Sequence, residues 1–333
     1  MTGMHTVVVH RNELCTHLAR TTMAVDADIL HELLLETGGR FATTSERDAY
    51  AFCERMASSH YENFPVASRL VRSDVRPHIA AVYAFARLAD DIADELRTEP
   101  QEKERLLQTL LDRLRKGGQT SHPVIRAMST TMARCRLPFS LPERLIRAFS
   151  MDSSFRQPHT WNDVLEYCRY SANPVGETVL RIHGVHDAAS IEFSDRICTA
   201  LQLINFWQDQ SVDHARGRCY IPKDLCAQHG VRYVDGRLEA ADHSGGRPDP
   251  QRLRSLYDIL FTRTRELMTS GRPILTGIHD RRLRAELTLI IESATRLLER
   301  CTRMHEELLD KRPTLGFGDL PIIALRAIPS YFA

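Results

Sequence analysis

Two stretches of this 333-residue sequence carry side chains whose types and spacing could do chemistry. The first is HIAAVYAFARLADDIADE, His78 to Glu95. At about 100° per residue, Tyr83, Arg87, Asp90 and Asp94 fall within a roughly 60° sector of one helix. The other faces are apolar, with Ile79, Val82, Phe85, Leu88 and Ile92, so this helix is expected in the interior. Two unpaired carboxylates buried there would repel each other and lose hydration, at several kcal/mol each. A cation must answer them: Arg87 supplies one charge, and a hard divalent ion held by carboxylate oxygens can supply the rest. Asp91, about 100° round the helix from Asp90, reads as a flank or as a group that supports the ligands from behind.

The second stretch is ALQLINFWQDQSVDHARGRCY, Ala200 to Tyr220. Gln202, Asn205, Asp209, Asp213 and Arg216 share a sector of roughly 80°, surrounded by Leu201, Leu203, Ile204, Phe206 and Trp207. Asn205, Asp209 and Asp213 form an oxygen-only donor set that suits Mg²⁺ or Mn²⁺ and suits zinc poorly. A buried amide network pairing two helices is the alternative reading of this stripe.

Two such stripes facing one another would hold more than one Mg²⁺ ion. Mg²⁺ keeps coordination sites for water or phosphate, so the natural ligand is a diphosphate, with Arg87, Arg216 and Arg218 near its remaining oxygens. Metal-bound diphosphate is a good leaving group, and its departure leaves a carbocation. Aromatic ring faces stabilise such a cation by about 0.5 to 2 kcal/mol each. Phe52, Tyr61 and Phe64, in AFCERMASSHYENFPVASRL, and Tyr167 and Tyr170, in EYCRYSANPVG, are candidates, though an aromatic taken singly is more often core filler. A tyrosine hydroxyl near the departing oxygen could also handle a proton.

The elements that must position these residues read as helices. From Ala49 onward apolar residues recur at helical spacing, and alternating strand-like runs are rare, which predicts an all-α fold. Asp74 and Pro77 open a segment running to about Arg97; Ser140-Leu-Pro-Glu143 has capping-box spacing; Thr160 caps the helix that follows; Pro174 interrupts the pattern. A long apolar segment runs from about Ala188 to Val212, and two more helices span about Gln251–Ser270 and Arg281–Leu309. Residues 1–45 are polar and read as a loosely attached extension, with a short helix near Asp28–Glu36, leaving 46–333 as one domain. Within it, 230–251 is rich in Gly, Pro and Asp and reads as a loop insertion, either functional or a plain surface feature. The tail GFGDLPIIALRAIPSYFA is apolar enough to pack back on the body or to touch a membrane peripherally.

Composition narrows the classes. With 44 Lys+Arg against 43 Asp+Glu, the net charge of +1 gives no footprint for nucleic acid. The longest stretch without charged residues, Ile197 to Gln208, is too short to span a bilayer. The first residues lack the apolar run of a signal peptide. The eight cysteines have no CxxC spacing and read as buried reduced thiols, so a cytoplasmic protein is expected.

The segments HYENFPVASRL, VYAFARLADDIADE, EYCRYSANPVGETVLRI and LQLINFWQDQSVDHARGRCYIP resemble, in order and spacing, the squalene/phytoene synthase family, and within it the bacterial hydroxysqualene-forming branch. The resemblance covers roughly residues 49–300. It implies an isoprenoid synthase helical bundle, with a central cavity between two aspartate-bearing helices, and Mg²⁺-dependent chemistry on prenyl diphosphates. By that resemblance Asp90, Asp94, Asn205, Asp209 and Asp213 hold metal. Tyr83, Arg87, Gln202, Arg216, Arg218 and Tyr220 bind substrate; Tyr170 or Tyr167, with Phe64, serves catalysis. Condensing members often carry a basic residue and a serine before the phenylalanine, where this chain has Glu62-Asn63-Phe64. They often carry arginine before the second motif's first aspartate, where this chain has Gln208. Losing two cations favours one preformed substrate. The resemblance therefore implies that presqualene diphosphate ionises and water captures the cation as hydroxysqualene, in partnership with a presqualene diphosphate synthase. A synthase condensing two prenyl diphosphates, and a non-catalytic family member acting as an assembly factor, are the alternatives. No GxGxxG supports a nicotinamide site.

Overall fold

The computed structural model describes residues 45–59, 71–96, 98–117, 122–242 and 246–332. The helix expected near Asp28–Glu36, the extension up to residue 44, and Tyr61 and Phe64 lie outside the described residues. Backbone contacts divide the chain into two compact units.

One unit contains the described residues up to Ser154 together with Pro174–Ile191. Its helices are α1 (Glu46–Ser59), α2 (Arg76–Asp90), α3 (Pro100–Lys116), α4 (Pro123–Cys135) and α5 (Ser140–Ser153). Proline stands in the first turn of α2, α3 and α4, where its missing N–H costs no hydrogen bond. α1 and α2 pack against α4, and α3 packs against α5, around Phe85, Leu88, Leu107, Leu110 and Ile125. The Tyr50 hydroxyl and Thr131 Oγ1, 3.1 Å apart, tie α1 to α4. The capping box expected at Ser140 and Glu143 does not form: α5 has no side-chain cap, and Glu143 instead accepts from Arg115 at 2.8 Å. The helical segment opened at Pro77 does not stay α-helical to its end. At Asp91 it widens into a π-helical turn, Asp91–Glu95, closed by the Leu96 N–H on the Asp91 carbonyl at 3.2 Å.

The second unit contains Phe155–Asn173 and the chain from Glu192 onward. Thr160 caps α6 (Trp161–Ser171) as expected, in a box with Asp163: the Asp163 N–H donates to Thr160 Oγ1 at 3.3 Å, and Asp163 accepts from the Thr160 N–H at 2.8 Å. The chain breaks at Ala172, and Pro174, which returns the chain to the first unit, is the second residue of α7 (Asn173–Ile182). Next come α8 (Ala188–Gln208), α9 (Gln210–Ala215) and α10 (Lys223–Gln228). The loop expected over 230–251 contains an antiparallel hairpin, β1 (Val231–Val234) and β2 (Arg237–Ala240). Its two-residue turn, Asp235-Gly236, has both φ angles positive, at 44° and 82°, the geometry that matches strand twist and that Asp-Gly favours. Pro250 already belongs to α11 (Pro250–Gly271), which is followed by α12 (Ile274–Gly277), α13 (Arg281–Met304) and α14 (Leu320–Phe332). α14 lies on α13 and buries Ile323 and Ala327, but Leu325 and Ile328 face outward, as does nearby Phe317. No described helix is long and apolar enough to cross a membrane.

Candidate active site

In the first unit, α2 is built to bury polar groups. Ten of its fifteen residues are buried, including Tyr83 and Arg87. Burial pushes the Tyr83 phenol up, outweighing the lowering effect of Arg87, so it remains a neutral hydroxyl. Burial also works against the Arg87 charge, but the carboxylates of Asp91 and Asp90 outweigh it and raise the guanidinium pKa. The partnership differs from the expected one. Arg87 Nη2 lies 2.5 Å from Asp91 Oδ1, whereas Nη1 is 3.9 Å from Asp90 Oδ2. Asp91, expected as a flank or a group supporting the ligands, is almost fully buried; Asp90 and Asp94 are half-buried. Four residues after Arg87, Asp91 lies about 40° round an α-helix from it, against about 60° for Asp90, so ordinary helical spacing places Asp91 within reach, and the π-helical turn begins only at Asp91. Such turns concentrate at functional positions in helices.

In the second unit the polar stripe on α8 is interior: Gln202, Asn205, Asp209 and Asp213 are all buried. The helix does not run through it. Asp209 has φ −96° and ψ 12°, outside helical values, and separates α8 from α9. Hydrogen bonds bridge the break, from the Asp209 N–H to the Asn205 carbonyl at 2.9 Å and from the Asp213 N–H to the Asp209 carbonyl at 2.8 Å. Neighbouring side chains fix it in place. Trp207 Nε1 donates to Thr264 at 2.9 Å, the Tyr257 hydroxyl donates to Gln210 at 2.5 Å, and fully buried Gln208 donates to the Pro313 carbonyl at 2.6 Å. The side chain of Asp209 accepts from Arg312 Nε. Arg312 carries no motif, and nothing in its local sequence singles it out. Arg216 is exposed and Arg218 half-buried, both following Asp213, whose carbonyl accepts both of their backbone N–H groups.

The same unit separates the two tyrosines. Tyr167 is buried among aromatic rings, 5.8 Å from Phe206 and 5.9 Å from Tyr220, and Phe206 and Tyr220 stack at 3.8 Å. Tyr170, one helical turn further on, is only half-buried. The structure therefore brings Tyr167 and Tyr220 together beside Phe206 of α8.

The donor chemistry fits a hard divalent cation. In the second unit Asn205, Asp209 and Asp213 offer amide and carboxylate oxygens from a buried stripe; in the first unit, taken by itself, Asp90 and Asp94 offer a pair of carboxylates. Buried Asp209 already takes a positive charge, from Arg312. Among the described residues no three His, Cys, Asp or Glu converge as a ready-made cluster. This donor set suits an ion that completes its shell with water and phosphate, as Mg²⁺ does.

An all-α chain carrying two separate aspartate-rich helical motifs has the architecture of an isoprenoid-synthase-type helical protein. The solved structures agree. The crystal structure of squalene synthase HpnC from Alicyclobacillus acidocaldarius superposes with a TM-score of 0.70 at 34% identity, covering 78% of this chain and 95% of that one. A dehydrosqualene synthase in complex with ligand, at 21% identity, shares the fold with a TM-score of 0.68, over 85% of this chain and 96% of that one. The squalene/phytoene synthase family model matches residues 57–319. A hydroxysqualene synthase of Zymomonas mobilis subsp. mobilis is 33% identical over 267 residues, which is 77% of this chain and 86% of that relative. The chain belongs to the squalene/phytoene synthase family.

Proposed function

We propose that this enzyme is a hydroxysqualene-forming lyase acting on presqualene diphosphate. The observation that carries the reading is Gln208. Where condensing members often place an arginine, this chain has an amide that is fully buried and spent on the Pro313 carbonyl, so it brings no cation to a second diphosphate. Identity of 33% to 34% with proteins described as hydroxysqualene synthases supports the same reading.

In the proposed reaction the carbon–oxygen bond of presqualene diphosphate breaks and the electron pair leaves with the diphosphate. The cyclopropylcarbinyl cation rearranges, and a water oxygen adds and loses a proton, so no reductant is consumed. Asp90 and Asp94, and Asn205, Asp209 and Asp213, would hold the Mg²⁺ ions, whose contribution when bound is to neutralise the charge developing on the leaving group. Gln202 is nine-tenths buried, and its Nε2 has no acceptor among the described residues, which suits it to donate to a diphosphate oxygen. Tyr167 and Tyr220 offer ring faces to the cation, and the Tyr167 hydroxyl is a candidate for handling a proton.

The test is incubation of the full chain with Mg²⁺ and either presqualene diphosphate or farnesyl diphosphate, with mass analysis of the neutral lipid and an assay of released pyrophosphate. Hydroxysqualene from the first substrate and no turnover of the second is expected. Consumption of farnesyl diphosphate alone would make the enzyme a condensing synthase, and no pyrophosphate from any prenyl substrate would make it a non-catalytic member.

A further inference from the structure

A buried carboxylate retains its charge only with a cation beside it. At Asp209 that cation is Arg312, whose Nε donates to Oδ1; the Asp209 side chain is 2% exposed and the Arg312 side chain 17%. The adjacent pair is fastened too, with Gln208 Nε2 on the Pro313 carbonyl at 2.6 Å. Two consecutive residues, Arg312 and Pro313, are thus latched to two consecutive residues at the point where α8 breaks. On the far side, the Lys311 N–H holds the Glu307 carbonyl at 2.8 Å.

Resting on the reading above, in which Asp209 ligates a divalent cation, the latch has a further meaning. A guanidinium and a divalent ion on one carboxylate repel each other, and in a setting this poorly hydrated the repulsion is weakly screened. We infer that Arg312 is a built-in competitor for the cation at Asp209. It neutralises the aspartate when metal is absent, and it must leave the carboxylate for metal to enter, which loosens the 311–314 segment. Arg312 is then a positioning residue that sets the metal affinity of the second motif.

The experiment is a Mn²⁺ titration of the full chain without diphosphate, followed by electron paramagnetic resonance. Arg312→Gln is expected to tighten Mn²⁺ binding by roughly fivefold or more, the lower end of ordinary coupling between competing ligands. Arg312→Lys, which keeps the charge, is expected to stay near the wild-type constant. Unchanged or weakened binding in Arg312→Gln, or equal tightening in both variants, overturns the inference. Hydrogen exchange on the wild-type chain tests it without any substitution: Mn²⁺ should speed exchange of a peptide covering 311–314, and unchanged or slowed exchange overturns it. A wild-type chain and an Arg312→Gln variant that both bind no Mn²⁺ overturn the metal reading itself. A wild-type chain that binds Mn²⁺ while Arg312→Gln behaves identically overturns only the competition.

Discussion

Arg87 gives its guanidinium to Asp91, at 2.5 Å, in preference to Asp90, at 3.9 Å, and both members of the close pair are almost wholly removed from solvent. Removing one partner of such a pair strands the other charge. Arg87→Met alone should cost about 3 to 5 kcal/mol, whereas Arg87→Met combined with Asp91→Leu should recover much of that loss. Urea unfolding of the two single variants and the double variant gives the coupling. Strictly additive losses would show that the two groups are independent.

Asp209 and Asp213 are buried in the second unit, Asp209 beside Arg312. Asp209→Asn and Asp213→Asn are each expected to lower turnover on the order of 10²–10³-fold, the scale seen when a group stabilising the charge of a reacting centre is removed. Circular dichroism should stay close to wild type. Retained pyrophosphate release from presqualene diphosphate in both variants would remove these residues from the chemistry.

Glu286, on α13, is buried, and that burial, with a smaller contribution from Asp280, pushes its carboxyl up to about 7. Its folded pKa lies above the unfolded one, so between pH 4.5 and about 7 the folded chain binds more protons than the unfolded chain. Stability from this group is therefore full below the unfolded pKa and falls as pH rises through about 7. Glu286→Gln should melt above wild type at pH 8 and close to it at pH 4. An equal shift at both pH values would assign the effect to packing.

Gly236 closes the hairpin at φ +82°, and a β-carbon there would stand 2.9 Å from the His214 carbonyl oxygen. Gly236→Ala should destabilise by about 1 to 2 kcal/mol from the left-handed backbone alone, with the contact adding to it. Thermal unfolding measures the loss, and an unchanged melting temperature would mean that the turn rearranges at no cost.

What could be read from the sequence was local. The Thr160 cap, the break before Pro174 and the interior position of Gln202, Asn205, Asp209 and Asp213 depend on residues within one or two turns of each other, and the structure has them. What could not be read depends on distant partners. Glu143 left its expected cap because Arg115, 28 residues earlier, offers a full positive charge. Arg312 reaches Asp209 across 103 residues. The hairpin was masked because each strand is only four residues long, too short for alternation to stand out. The Arg87–Asp91 pair has the ordinary i, i+4 spacing of a helix; what projection at a fixed angle cannot register is the change of helix type that begins at Asp91.

That change of helix type behaves as a phase offset of one residue inserted into an otherwise regular spiral. Excising a single residue between Asp91 and Asp94 would let ordinary winding resume, with Asp94 three residues after Asp90 instead of four. At about 100° and 1.5 Å per residue, Asp94 would then stand about 60° round the axis from Asp90 and one residue closer along it. Its bearing is held by backbone winding as much as by side-chain identity, so an exchange of residue type at 94 and a one-residue deletion upstream are two separate ways to lose the same carboxylate.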